Sequence, residues 1–262
     1  MNAISKPSKL DIADSFSKAA TSYDHSAELQ RTIGKNLLNR LPDAFQANSI
    51  LDLGCGTGYF TQQLNKKFPQ AALCGLDLAE GMLKQAQQSV TINSWIAGDA
   101  EQLPIKDNSI DLVFSNLALQ WCHDFSAVLD EVYRVLTPQG IFLFTSLCDG
   151  TLRELKQSWQ AVDSYIHVNS FINYQHYQQL IHSSRFIIQD TQCIAEKSYY
   201  PNLKLLMNDL KGIGAHNINP QRHKGLTTRQ QLNTLINAYD SFRTTQGLPA
   251  TYQVIYGYLR KG

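Results

Sequence analysis

The stretch Ile50-Leu51-Asp52-Leu53-Gly54-Cys55-Gly56-Thr57-Gly58 decides the fold. A short apolar run passing directly into alternate glycines reads as a strand that feeds a tight turn. The residues beyond it, Tyr59 to Lys67 and closed by Pro69, read as a helix. Glycine lets the backbone approach a ligand closely at such a turn, and the N–H groups of the following helix point at that ligand. Two phosphate-binding motifs fail on spacing. The sixth position from Gly54 is Tyr59, where a dinucleotide fingerprint needs Gly or Ala. Gly58 is likewise followed by Tyr59, where a P-loop needs Lys and then Ser or Thr.

Outward from the turn, strands and helices alternate. Further strands are expected at 71–76, 92–97, 109–115 and 141–146, with helices at 80–88 and 125–136 between them. In the last helix, apolar residues at 125, 128, 129, 132 and 136 mark one buried face. Such alternation predicts an α/β fold with a mostly parallel, seven-stranded sheet, right-handed crossovers and helices on both faces. Two helices, ended by Pro42, precede the first strand. After Ser146 the rhythm changes to helices at 151–166 and 174–183 and a strand at 186–194. A polar helical stretch broken by Gly212, Gly214, Pro220 and Gly225 comes next, and a final strand at 252–259. The expected organisation is an N-terminal helical lid over 1–45, an α/β domain over 46–199, a helical cap insertion over 200–248 and a returning strand in 249–262.

Composition narrows the class. In 262 residues, 43% hydrophobic and 17% charged side chains exclude a disordered chain, a collagenous repeat and a coiled coil. No apolar stretch approaches the ~18 residues of a membrane span, and the first residues lack the apolar core of a secretory signal. Five cysteines without a C-x-x-C pair point to a reduced, cytoplasmic protein. The net charge of +1 hides an asymmetry: from Lys197 onward nine Lys/Arg face only Asp209 and Asp240. A basic third of this kind suits an anionic partner or substrate. Cys55 reads as a small residue in a tight turn, Cys122-His123 lacks partners at zinc spacing, and no metal site is expected. The hydrolase elbow Gly-x-Ser-x-Gly is absent.

The Asp-Leu-Gly-Cys-Gly-Thr-Gly run resembles the class I S-adenosylmethionine-dependent methyltransferases, and three further positions agree. Asp77 closes the second strand, where a carboxylate can accept from both ribose hydroxyls. Gly98-Asp99-Ala100-Glu101 follows the third strand, where the family places an acid beside the adenine amino group. Ser115-Asn116-Leu117-Ala118-Leu119-Gln120-Trp121 follows the fourth and would lie along the methionine end. The resemblance therefore implies S-adenosylmethionine as methyl donor, held by Asp52, Gly54, Cys55, Gly56, Asp77, Leu78, Met82, Asp99, Ala100, Glu101, Asn116 and Leu117. All lie near the carboxyl ends of parallel strands, where open α/β sheets bind ligands.

Two stretches outside the cofactor motifs are more discriminating, Lys211-Gly212-Ile213-Gly214-Ala215-His216-Asn217 and Arg222 with Gly225-Leu226-Thr227, and Phe16 to Asp24 goes with them. With Tyr252 to Gly257 they resemble the malonyl-acyl-carrier-protein O-methyltransferase family of biotin synthesis. That resemblance implies methyl esterification of the free malonyl carboxylate, with acyl carrier protein bearing malonyl-phosphopantetheine as partner. Neither membrane nor nucleic acid is expected to take part. A carboxylate is ionised at neutral pH and needs no base to attack a sulfonium methyl, so positioning rather than an acid–base pair is expected. Tyr23 is the candidate lid residue. Lys211, His216, Asn217 and Arg222 are candidate acceptor contacts, with Arg222 ranked first because a guanidinium binds a carboxylate bidentately. Two alternatives stay open from the residues alone: methylation of another small acid or a quinone-type ring carbon, and a non-catalytic S-adenosylmethionine-binding protein.

Overall fold

The computed structural model describes residues 7–215 and 228–262. Seven strands form one sheet: β1 (Ser49–Leu53), β2 (Ala72–Asp77), β3 (Ser94–Ala97), β4 (Ile110–Asn116), β5 (Leu136–Leu147), β6 (Ile187–Tyr200) and β7 (Leu248–Arg260). Their order is β3-β2-β1-β4-β5-β7-β6. Neighbours from β3 to β5 pair in parallel, and β7 runs antiparallel to both β5 and β6. One reversed strand therefore sits in an otherwise parallel sheet.

Helices α1 (Lys9–Ser26) and α2 (Glu28–Leu38) precede β1; α3 (Tyr59–Lys67), α4 (Glu80–Ser89) and α5 (Phe125–Val135) connect the parallel strands. Then come α6 (Arg153–Gln160), α7 (Tyr174–Ser183), α8 (Leu203–Gly212) and α9 (Arg229–Asp240). Local chemistry sets several starts. Ser8 caps α1 by accepting from the Asp11 N–H, Asp124 caps α5 from Ser126 and Ala127, and Thr228 with Gln231 forms a capping box at α9. The central strands β1, β4, β5 and β7 are buried on both faces, and their side chains alternate between two cores. Ile50, Leu112, Phe114 and Leu143 pack with α2, α3, α6 and α9. Leu51, Val113, Phe142 and Phe144 pack with α5 and α7.

Three expected boundaries shift. The helix expected over 151–166 stops at Gln160, because Ala161 to Asn173 form turns and an irregular segment. The last two strands are longer than expected at their shared end, Ile187–Tyr200 pairing with Leu248–Arg260 residue by residue apart from one shift. There β6 is an edge strand of alternating half-exposed and exposed residues, so its polar Glu196, Lys197 and Ser198 read as loop. Finally, the expected turn at Pro138-Gln139-Gly140 is a register shift within β5, with Gln139 at φ 69°. Among the described residues no helix is long and apolar enough to cross a membrane.

Candidate active site

The glycine turn leaves β1 in left-handed geometry, with φ 73° at Gly54, 55° at Gly56 and 84° at Gly58. A β-carbon at Gly54 would fall 2.2 Å from the Ala118 side chain, whereas one at Gly56 would stand in open space. That space belongs to a cavity of about 760 Å3, part of it open to solvent, over the carboxyl ends of β1, β2 and β4. Ten of the twelve expected cofactor residues line it. Gly54, Gly56, Asp77, Leu78 and Met82 come from the first two strand ends; Asp99, Ala100, Glu101, Asn116 and Leu117 come from the next two.

Asp77 is tied into the turn. Its Oδ2 accepts from the Gly56 N–H at 2.8 Å and its Oδ1 from the Ala79 N–H at 2.8 Å. Burial pushes its carboxyl above the usual range, against those hydrogen bonds. Asp52 and Cys55, the other two expected contacts, stand behind the turn in a smaller adjoining cavity. Asp52 is buried and accepts from Thr61 Oγ1 at 2.5 Å, and burial lifts its pKa to about 7. Burial also raises the Cys55 thiol well above its ordinary value, which suits a packing residue and not a nucleophile.

That smaller cavity carries a signal the sequence did not. Gln30 and Arg31 line it, and Gln30 Oε1 and Arg31 Nε are buried with no hydrogen-bond partner among the described residues. Arg31 is otherwise anchored: Nη2 donates to the Asp24 carbonyl, and the guanidinium lies 5.1 Å from the centre of the Tyr59 ring. Asp24 in turn accepts from Thr57 Oγ1 at 2.9 Å. A partly exposed guanidinium with one buried, unmatched N–H beside a glycine turn is suited to an anionic group.

Helix α1 closes the main cavity. Lys9 pairs with Asp99 and with Glu101, Ser17 Oγ accepts from the Gly81 N–H at 3.1 Å, and Phe16 meets Trp121 edge-on at 5.2 Å. Beyond these rings lies a second cavity of about 740 Å3 between α1, α2, α8 and β7. Phe16, Tyr23, Leu117 and Trp121 line both spaces and form the throat between them. Leu117 holds a left-handed φ of 51°, fixed by its N–H donating to the Thr145 carbonyl and hydroxyl. A non-glycine residue in that conformation at a cavity junction marks strain kept at a working position.

Tyr23, the expected lid residue, lines both spaces. Burial and the nearby Asp77 and Asp24 raise its phenol far above the ordinary value. Lys211 does not join the site: it is exposed on α8, while its neighbours Leu210, Ile213 and Ala215 line the second cavity. His216, Asn217 and Arg222 lie outside the described residues. The sequence reading missed Lys9 and Arg31 and gave no site role to Phe16 or Gln30.

Residues 51–144 match the family described as "Methyltransferase domain". A solved complex of the Haloferax volcanii Trm112 methyltransferase activator with a methyltransferase shares the fold at TM-score 0.61 and 20% identity, covering 94% of this chain and 96% of that one. The Haemonchus contortus phosphoethanolamine N-methyltransferase 2, solved with S-adenosyl-L-methionine, does so at TM-score 0.57 and 16% identity, covering 94% and 57%. The fold is that of the class I S-adenosylmethionine-dependent methyltransferases.

Sequence relatives are more specific. The malonyl-[acyl-carrier protein] O-methyltransferase of Yersinia pestis is 42% identical over 95% of this chain and 90% of its own length. That of Hamiltonella defensa is 38% identical over 97% and 95%. The biotin biosynthesis bifunctional protein BioHC of Cellvibrio japonicus is 42% identical over 95% of this chain, which spans about half (49%) of that longer relative. The chain belongs to the malonyl-[acyl-carrier protein] O-methyltransferase family.

Proposed function

We propose that this chain transfers a methyl group from S-adenosylmethionine to the free carboxylate of malonyl-acyl carrier protein. The resulting methyl ester would start pimeloyl synthesis for biotin, in the cytoplasm. The observation that carries this reading is the pair of cavities joined at Phe16, Tyr23, Leu117 and Trp121. Both are walled mostly by apolar groups; one also carries the strand-end carboxylates a nucleoside needs, whereas no carboxylate among the described residues lines the other, which fits an acyl thioester arm.

S-adenosylmethionine, when bound, supplies a sulfonium methyl to an oxygen nucleophile. In the first cavity Asp77 would accept from ribose hydroxyls, Asp99 and Glu101 would face the adenine end, and Asn116 and Leu117 the methionine end. The guanidinium of Arg31 and the turn at Gly54 and Gly56 suit the methionyl carboxylate; Asp52 and Cys55 would act from behind that turn by shaping it. At the throat, Tyr23 stays protonated near neutral pH and can donate a hydrogen bond, but it is no base. Phe16, Trp121 and α1 keep water out, which strengthens charge attraction between acceptor and donor and holds reacting atoms in line.

The carrier protein is an acidic partner in this reading. Lys204 and Lys211, exposed on α8, would steer it. His216, Asn217 and Arg222 are kept as candidate acceptor contacts from the same segment. The test is mass spectrometry of malonyl and acetyl carrier protein after incubation with enzyme and S-adenosylmethionine. A one-methyl gain on the malonyl form alone is expected. Methylation of quinone precursors instead, or cofactor binding without turnover on any acyl thioester, would overturn the reading.

A further inference from the structure

The second cavity is apolar over most of its wall, and an anionic acceptor that enters it leaves water behind. A carboxylate held there needs a compensating donor, preferably a charged one. Among the described lining residues one side chain can carry positive charge, and it is His167. No carboxylate lines the cavity among those residues; the other titratable groups facing it are the phenols of Tyr23 and Tyr252, both held neutral by burial.

The ring of His167 is fixed from two sides. It lies flat on Trp159, with centroids 3.6 Å apart and planes 4° from parallel. Its Nε2 meets Asp163 Oδ1 at 2.7 Å, and both side chains are 16% exposed. Trp159 is buried near the end of α6, and Asp163 lies in the irregular segment that follows. With Nε2–H given to Asp163, the remaining nitrogen, Nδ1, can donate only when the ring is an imidazolium. The Asp163 carboxylate across the ring balances that charge.

We propose that His167 is a specificity-determining residue whose Nδ1–H binds the spectator oxygen of the acceptor carboxylate. It thereby selects an acyl group ending in a carboxylate over one ending in a methyl. The inference rests on the malonyl reading above and names the residue that enforces it. The other carboxylate oxygen is left for the methyl, so His167 touches the substrate without taking or giving a proton in the reaction.

The experiment measures initial rates with malonyl carrier protein for wild type and His167→Gln, with acetyl carrier protein as competitive inhibitor. His167→Gln should raise the KM for the malonyl form about tenfold, as expected for a lost charge-assisted hydrogen bond. Its kcat, its S-adenosylmethionine affinity and its inhibition by acetyl carrier protein should match wild type. Asp163→Asn, which keeps the ring and its stack but removes the balancing charge, should raise the same KM. An unchanged KM, or an equal weakening of malonyl and acetyl forms, would each overturn the role of His167. Should His167→Gln fail to bind S-adenosylmethionine, Asp163→Asn alone decides, and a wild-type KM there overturns it. A wild type inactive on malonyl carrier protein is a separate result, against the malonyl reading itself.

Discussion

Lys9, in the first turn of α1, places its ammonium 2.9 Å from the carboxylate of Glu101, a residue beyond β3. The same ammonium also meets Asp99. Burial alone would lower the pKa of Lys9, but the two carboxylates outweigh that and raise it. A helix that lies outside the sheet is thus clasped to the acids expected at the adenine end. The pair is partly exposed, so its strength is that of a surface ion pair. Lys9→Met should weaken S-adenosylmethionine binding about threefold, mostly through faster dissociation, and more at low than at high salt. Stopped-flow release of the cofactor checks this, and an unchanged off-rate would remove the clasp.

Arg31 is the sharper case, because its Nε is buried and has no partner among the described residues. If that nitrogen meets the methionyl carboxylate, Arg31→Met should reduce S-adenosylmethionine affinity by about tenfold to a hundredfold. Adenosine, which lacks the carboxylate, should bind both proteins alike. Calorimetric titration with the two ligands separates the outcomes: parallel losses would mean that Arg31 supports the fold through Asp24 and Tyr59 instead.

Tyr23 joins both cavities, and its hydroxyl and its ring can be tested apart. Tyr23→Phe keeps the ring that seals the throat and should lower kcat modestly, by about threefold to tenfold, through one lost hydrogen bond. Tyr23→Ala opens the throat to water and should cost about a hundredfold or more. Full turnover in both variants would place Tyr23 outside the chemistry.

Asp52 gives a stability prediction with a definite sign. Its pKa in the folded protein is about 7, raised by burial above the ordinary 3.8. The folded state therefore binds this proton more tightly than the unfolded chain does. The contribution to stability is complete below about pH 4 and is lost as pH rises through 7. Asp52→Asn, which mimics the protonated form, should match wild type near pH 4 and melt increasingly higher as pH rises, by on the order of 5 °C near pH 8. Melting curves across that range check it, and a gap independent of pH would contradict it.

How far the site could be read from sequence depends on where its chemistry is encoded. The glycine turn and Asp77 are local signals: the φ values at Gly54 and Gly56 and the end of β2 are consequences of residues adjacent in the chain. Arg31 and Lys9 come from helices whose apolar spacing reports only which face is buried, and nothing in that spacing says that a cation reaches over the sheet. Lys211 shows the converse. Its charge suggested a ligand contact, but on α8 the cavity-facing residues are Leu210 and Ile213, and Lys211 is on the solvent side. His167 lies one residue beyond the helix expected over 151–166, in an irregular segment to which the sequence reading gave no role. Its stack on Trp159 is a tertiary contact with no counterpart in sequence spacing.

The reversed strand β7 has a consequence for how such an enzyme can change over evolutionary time. Because β7 runs against β5 and β6, the chain leaving β6 and the chain entering β7 meet at the same rim as the glycine turn. Sequence inserted between them emerges beside the throat without altering the pairing of any strand. The fold thus offers a socket in which acceptor preference can diverge by exchange of one excursion, while the nucleotide-facing half is inherited intact.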